Sequence, residues 1–348
     1  MESVRVEWKA LQEFATQVFE GLGMPPGDAA KEAEVLLWAN LRGVDSHGVQ
    51  LIASYLKQVD AGVMNPKPRI QIIKETPATI FVEADRAFGP IVTTFTMEKV
   101  MEKAREVGIG WGLIRNTTHQ GAMGYYSQMA AAQDMAGIAV VSSPPNMAPP
   151  GARAAGTHNS PISIAVPGKT RKFITLDMAT SVVAWGKLLV AIDKGESIPK
   201  EWGLDKDGRP TTDPKQVAFL QPAGGYKGYG LALMFECLSG LMAGNPLITA
   251  ILLKQTQGSP VIQNSFVGAI NIGNFTDINE YKENVDRLVA AIKSLPRQEG
   301  VEEIFVPGEP EERVYEDRIK NGIPLPPGTI EKLRAAAERF KLKLPPGL

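Results

Sequence analysis

The chain of 348 residues holds three histidines, and two of them stand in short stretches crowded with polar and small residues. His47 lies in NLRGVDSHGVQL, residues 40–51, and His119 in RNTTHQGAMGYY, residues 115–126. Histidine ordinarily titrates near neutrality, so either ring can take or give a proton once neighbouring groups orient it and fix its tautomer. Asp45 and Ser46, directly before His47, are placed to do that. The plainer alternatives are a helix-ending turn with an exposed ring for the first stretch, and a β-to-α connection with locally bonded polar groups for the second.

A third stretch, PAGGYKGYGLALM, surrounds Lys227 with Gly224, Gly225, Gly228 and Gly230 and runs into an apolar helix. Free backbone N–H groups at a helix start, beside a lysine, suit a phosphate, pyrophosphate or carboxylate. Without such a ligand the segment is a tight turn, and it lacks the spacing of a P-loop. In FITLDMATS, Asp177 ends a predicted strand, where a carboxylate can accept ribose hydroxyls or simply cap a helix. His158, in GTHNSP, reads as a loop residue rather than a catalyst. GIGWG at 108–112 imitates a dinucleotide fingerprint, but its third glycine is misplaced and no helix follows directly, which argues against a Rossmann site. DKDGRPTTDP lacks the ligand pattern of a calcium loop and reads as a turn.

These residues need elements to hold them. Leu11, Phe14, Ala15, Val18 and Phe19 recur at helical spacing, and PPGDAAKEAEVLLWANL predicts a second helix, capped by Asp28, that ends just before His47. Strands are predicted at ATIFVEA, GIGWGLIRN, MAGIAVVSS, PISIAVPG, KFITLDMA and SFVGAINIG. Helices are predicted at TTFTMEKVMEKAREV, VVAWGKLLVAIDKG, YGLALMFECLSGLMAG, INEYKENVDRLVAAIKSL and PPGTIEKLRAAAERF, the last capped by Thr329. The chain is therefore mixed α and β, and its length favours two substructures over one core. Changes of pattern put the divisions near residues 70 and 310.

Composition narrows the partners. A net charge of -1 with no block of like charges favours neither nucleic acid nor an anionic membrane, so a small ligand is expected. The single Cys237 makes no internal disulfide, and one thiol with three scattered histidines does not supply a structural metal site, so no metal is expected. The charged N-terminus MESVRVEWKALQEF is unlike a signal peptide, and no apolar run approaches the roughly 18 to 20 residues of a membrane span. The expected location is cytoplasmic.

Taken together, RGVDSHGV, RNTTHQGAMGYY, LDMATSVVAWGK, IPKEWGLDKDGRPTTDP, GGYKGYGLALM and VPGEPEERVYEDRIKNGI resemble the type-2 malate/L-lactate dehydrogenase family. That family also includes ureidoglycolate, sulfolactate and diketogulonate oxidoreductases. The resemblance implies an α/β (α+β) fold: a non-Rossmann nicotinamide-binding domain on a largely antiparallel sheet, residues 71–309, packed on a helical domain built from residues 1–70 and 310–348. It also implies a homodimer acting on a small 2-hydroxy or 2-oxo acid by hydride transfer.

Residue by residue, the resemblance makes His47 the acid/base and His119 the second active-site histidine, here expected to polarise or orient the substrate. Arg42, Ser46, Leu51, Tyr55 and Arg115 are the expected substrate contacts. Ser143, Thr157, Asp177, Met178, Ala179, Lys227, Gly308, Glu309 and Pro310 are the expected cofactor contacts. NAD is favoured over NADP because Asp177 would repel a 2′-phosphate, although Lys169, Arg171 and Lys172 could compensate. Two features depart from the family: many members carry arginine where this chain has Leu51, and GTHNSP is two residues longer than usual. Competing readings are a reductase of a cyclic 2-imino acid and a dinucleotide-binding protein without turnover.

Overall fold

The computed structural model describes residues 4–255 and 262–348, so the first three residues of the charged N-terminal stretch lie outside the described residues. At its centre is a seven-stranded sheet in the order Gln71–Glu75, Thr79–Glu83, Ile109–Thr117, Gln263–Asn271, Met135–Ser142, Ile162–Pro167, Phe173–Met178. Every neighbouring pair is antiparallel except Thr79–Glu83 with Ile109–Thr117. That pair needs a crossover, which the helix Gly89–Val107 supplies. The sheet is therefore largely antiparallel, as expected, and is no Rossmann domain.

Alternation along the central strands sends side chains to two cores. Ile114, Ala139 and Val267 pack with Val92, Met97, Val100 and Tyr126 under the helices Gly89–Val107 and Gly124–Ala131. Their neighbours Leu113, Val140 and Phe266 face the other way, against Phe235 of the helix Tyr226–Glu236. A third core joins both ends of the chain: Leu11, Val18, Leu36, Leu37, Ile52 and Tyr55 pack with Ile330, Leu333 and Ala336 of the helix Pro327–Phe340. The ends are also stitched together by Val4–Val6 pairing antiparallel with Ile323–Leu325. No helix among the described residues is long and apolar enough to cross a membrane.

Two expected caps are corrected. The second helix runs Pro26–Leu41 behind Pro25 with no side-chain cap, and Asp28 lies inside its first turn. The last helix starts at Pro327, which places Thr329 inside it. In both, a proline with its preset φ takes the first helical position, so the start needs no polar cap. The apolar helix predicted after Gly225 ends at Glu236 and continues as a π-helical turn over Cys237–Leu241. Three further elements fall outside the predicted ones: the exposed edge strand Gln71–Glu75, the short helix Ile52–Asp60, and Glu309–Asn321, an almost wholly polar helix.

Candidate active site

His47 sits in a 3₁₀ turn, Asp45–His47, directly after the helix Pro26–Leu41, and the turn is pinned from both sides. Asn40 Nδ2 donates to Asp45 Oδ1 at 2.7 Å, and Asn40 Oδ1 accepts from the Val49 N–H at 2.8 Å. Gly48 lies so close to the Asn40 side chain that a Cβ there would collide with it. Asp45 also receives both terminal nitrogens of Arg318, and Ser46 Oγ lies 2.9 Å from His47 Nδ1. Aspartate thus fixes the turn while serine meets the ring.

His119 follows the strand Ile109–Thr117, and its carbonyl accepts from the Gly89 N–H at 3.2 Å. A side chain at position 89 would strike Gln120 and the His119 carbonyl, so the first helical residue of the crossover must be glycine. His119 Nδ1 lies 2.7 Å from Tyr55 Oη and 3.3 Å from the Gly121 N–H. A backbone N–H only donates, so Nδ1 accepts, Tyr55 donates, and the ring proton resides on Nε2. The two rings stack with centroids 5.3 Å apart and planes 27° from parallel.

Burial lowers His47 to about 4. It lowers His119 to about 3, with the charges of His47 and His158 adding to the effect. Both rings keep some accessible surface while protein closes round them, the environment of a crevice floor. At neutral pH they are uncharged. All three histidines converge here, because His158 acts on His119 electrostatically and is itself lowered to about 3 by burial. His158 stands in a loop, as its sequence context implies, and only the scarcity of histidine hints at its proximity to the other two.

The glycine-rich segment and the strand end containing Asp177 also meet. The Ala223 N–H donates to the Thr180 carbonyl at 2.9 Å, and the Thr180 N–H to the Asn159 carbonyl at 3.2 Å, so the loops bearing Thr157, Asp177–Ala179 and Lys227 adjoin. Gly186, further along the same stretch, brings the helix Trp185–Lys194 against Ser46, with 2.6 Å between a Cβ at 186 and the serine Cβ. Asp177 Oδ2 accepts from the Gly124 N–H at 2.7 Å. Burial raises its carboxyl to about 7 against that N–H, and Glu311 adds to the rise. Ser143 is buried just beyond the strand Met135–Ser142.

Gly308, with φ at 91°, lies where an added Cβ would come within 3.3–3.5 Å of Thr175, and it borders a cavity of about 580 Å³. Thr170, Arg171, Lys172, Lys293 and Glu312 also line it. The neighbouring Glu309 carboxylate is taken up by Arg171, at 2.5 Å, and Lys293, at 2.7 Å. That pairing, with the Val306 N–H, brings it down to about 2 despite partial burial. These residues fit a dinucleotide: Lys227 is exposed at an uncapped helix start, no atom lies within 4 Å of where a Gly225 Cβ would be, and the cavity is of ligand size. Pro310 opens the helix Glu309–Asn321 beside it.

Two of the expected substrate contacts are already engaged with protein groups, and a third is partly packed. Arg42 is held between the rings of Trp38 and Tyr315, 4.3 and 4.7 Å from their centroids. Arg115 pairs with Glu83 at 2.5 Å and lines a separate cavity of about 470 Å³ with Asn116, Pro144 and Ile251. Leu51 packs partly against the helical core. Neither cavity is lined by a histidine. Among the described residues no group of three or more His, Cys, Asp or Glu side chains is disposed to hold a metal ion.

Such a fold and site suit an oxidoreductase. A model of the malate/L-lactate dehydrogenase family matches residues 6–334, and the chain belongs to that family. It is 38% identical to the malate dehydrogenase of Pyrococcus abyssi, over 98% of this chain and 96% of the relative. It is 38% identical to the L-sulfolactate dehydrogenase of Methanocaldococcus jannaschii, over 94% of each. The crystal structure of malate dehydrogenase from Entamoeba histolytica superposes with a TM-score of 0.94 at 28% identity, covering 99% of both chains.

Proposed function

We propose that the chain interconverts a 2-hydroxy acid and its 2-oxo acid with NAD, using His47 as the acid/base and His119 as a hydrogen-bond donor to the reacting oxygen. The observation that carries this reading is the stacked pair of neutral rings, one of them held with its proton on Nε2. In the oxidative direction His47, free of a proton at neutral pH, accepts the hydroxyl proton; in the reductive direction it returns one to the developing alkoxide. His119 steadies the charge that grows on the same oxygen. When bound, the nicotinamide supplies or takes the hydride. Lys227, the open face of Asp177 and the turn at Gly308 would hold the dinucleotide.

The choice of NAD rests on the cavity beside Gly308. Of its basic residues, Arg171 and Lys293 are already paired with Glu309, which leaves Lys172, lying over the Phe173 ring, while Asp286, Glu312 and Glu316 also face the cavity. A 2′-phosphate entering there would meet more unpaired carboxylate than free cation. The homodimer reading is supported by an apolar stripe on the helix after Gly225: Leu231, Met234, Leu238 and Leu241 are each 40–51% exposed on one face. The test is turnover of a panel of 2-oxo and cyclic 2-imino acids with each nicotinamide. His47→Ala and His119→Ala are expected to lower kcat by about 10²–10⁴-fold with little change in cofactor affinity. Retention of more than about a third of turnover by either variant would remove its catalytic assignment.

A further inference from the structure

Behind His119 lies a buried polar layer that the reaction as described leaves unused. Glu32, on the helix Pro26–Leu41, is fully buried, and neither of its carboxyl oxygens has a hydrogen-bond partner. Val35, one turn further along the same face, packs 3.0 Å from where a Cβ of Gly121 would lie. That face therefore looks toward the segment just after His119. Gln120 Nε2 is likewise buried and unpartnered, although Gln120 Oε1 accepts from Thr93 at 2.8 Å and its carbonyl from Tyr126 Oη at 2.5 Å.

The chemistry of this layer has a direction. Burial holds Glu32 well above the usual carboxyl range, so it is a neutral acid with an O–H to donate. Its helix neighbours Ala29, Ala33 and Leu36 share a core with Tyr55, and Val35 shares another with Tyr126, so Glu32 lies where the two cores meet; its carboxyl acts electrostatically on both tyrosines. Because the Gly121 N–H makes His119 Nδ1 an acceptor, the Tyr55 hydroxyl proton points at the histidine. The lone pairs of Tyr55 Oη are left to accept from elsewhere, and a buried acid without a partner is costly.

We propose that Glu32 is a positioning residue for His119: its carboxyl O–H donates to Tyr55 Oη through one water shared with Gln120 Nε2. Tyr55 is thereby kept as the donor to His119 Nδ1, and His119 as the tautomer with its proton on Nε2. A water with three polar partners of this kind is a normal structural component of a buried polar site. Removing the Glu32 donor frees the Tyr55 hydroxyl to rotate and accept. The other tautomer then competes against the long 3.3 Å contact from the Gly121 N–H alone, and a fraction of the rings no longer presents N–H to the substrate oxygen. The inference rests on the reading of His119 as the group that faces the substrate.

The experiment uses the full-length enzyme labelled with ¹⁵N only at histidine, where three side chains give separable signals. In the wild type and Glu32→Gln, which keeps a neutral donor, His119 is expected to carry its proton on Nε2, and kcat should agree within about twofold. In Glu32→Leu the tautomers should mix and kcat fall about tenfold with KM little changed, the loss of one oriented hydrogen bond. Added to Tyr55→Phe, Glu32→Leu should cost nothing more. An unchanged tautomer and kcat in Glu32→Leu, or losses that multiply with Tyr55→Phe, would overturn the proposal. So would a Gln variant that loses the Nε2 tautomer, a result that stands even if the Leu variant fails to fold. The tautomer is read on the resting enzyme, so it decides this inference even if His119→Ala turns over normally and the functional reading fails.

Discussion

Arg318 closes on Asp45 with both terminal nitrogens, at 2.6 and 3.0 Å, across 273 residues of sequence. The same arginine donates to the Asn40 carbonyl at the end of the preceding helix. The helix Glu309–Asn321 thereby clamps the turn that carries His47. Bidentate pairing fixes geometry as well as adding energy. Arg318→Ala is expected to cost about 1.5–3 kcal/mol in urea melts, the range for hydrogen bonds to charged groups. It should also lower kcat severalfold, because His47 loses its fixed approach. If stability falls and kcat stays at the wild-type value, the clamp supports the fold alone.

Acid should affect activity and stability in ways set by the histidines. A neutral base lowered to about 4 remains deprotonated well below pH 6.5. The acid limb of kcat/KM for hydroxy-acid oxidation is therefore expected near pH 4, since that parameter reports the free enzyme. For stability, a histidine lowered in the folded state binds protons more readily when unfolded. Its contribution is complete above pH 6.5 and is lost as pH falls from there toward the folded value. His158, lowered to about 3, follows this rule. Replacing His158 with Gln should shrink the drop in Tm between pH 6.5 and pH 4.5. An acid limb at pH 6 or above would show that the ring environments are misread.

Much of the site is legible as sequence because it is local. His47, Ser46 and Gly48 fall within three residues, and His119 with Gly121 within three more. The strands around them show as β-branched runs, and the family resemblance supplies the largely antiparallel sheet that those runs alone leave undetermined. The remainder is nonlocal. No pattern in EPEERVYEDRIKN announces that one of its arginines will reach Asp45, since a polar helix has no apolar stripe to betray its packing. Tyr55 reaches His119 across 64 residues, and only the family resemblance brings it forward; nothing around Glu32 in the sequence marks it as buried. The engagement of Arg42 and Arg115 is nonlocal for the same reason: a free arginine and one held by Trp38 or Glu83 look identical in sequence.

The occupancy of those two arginines bears on the substrate. A second carboxylate would require a cation near the histidines, and neither candidate supplies one: Arg42 lies between two rings and Arg115 pairs with Glu83. Among the described residues, no lysine or arginine side chain bonds to Ser46, His47 or His119. Leu51, one turn beyond His47, offers hydrocarbon where a guanidinium would give bidentate pairing. Desolvating a second carboxylate against that wall without a partner is costly. The expected substrate has one carboxylate and an uncharged remainder. Measured as kcat/KM, the wild type should prefer pyruvate or a longer 2-oxo monocarboxylate to oxaloacetate, and Leu51→Arg should shift the ratio toward oxaloacetate. Because Leu51 is partly packed in the helical core, the variant's Tm is measured alongside, and the ratio of the two substrates, not the absolute rate, is the readout. A wild-type preference of tenfold or more for oxaloacetate would sink the argument.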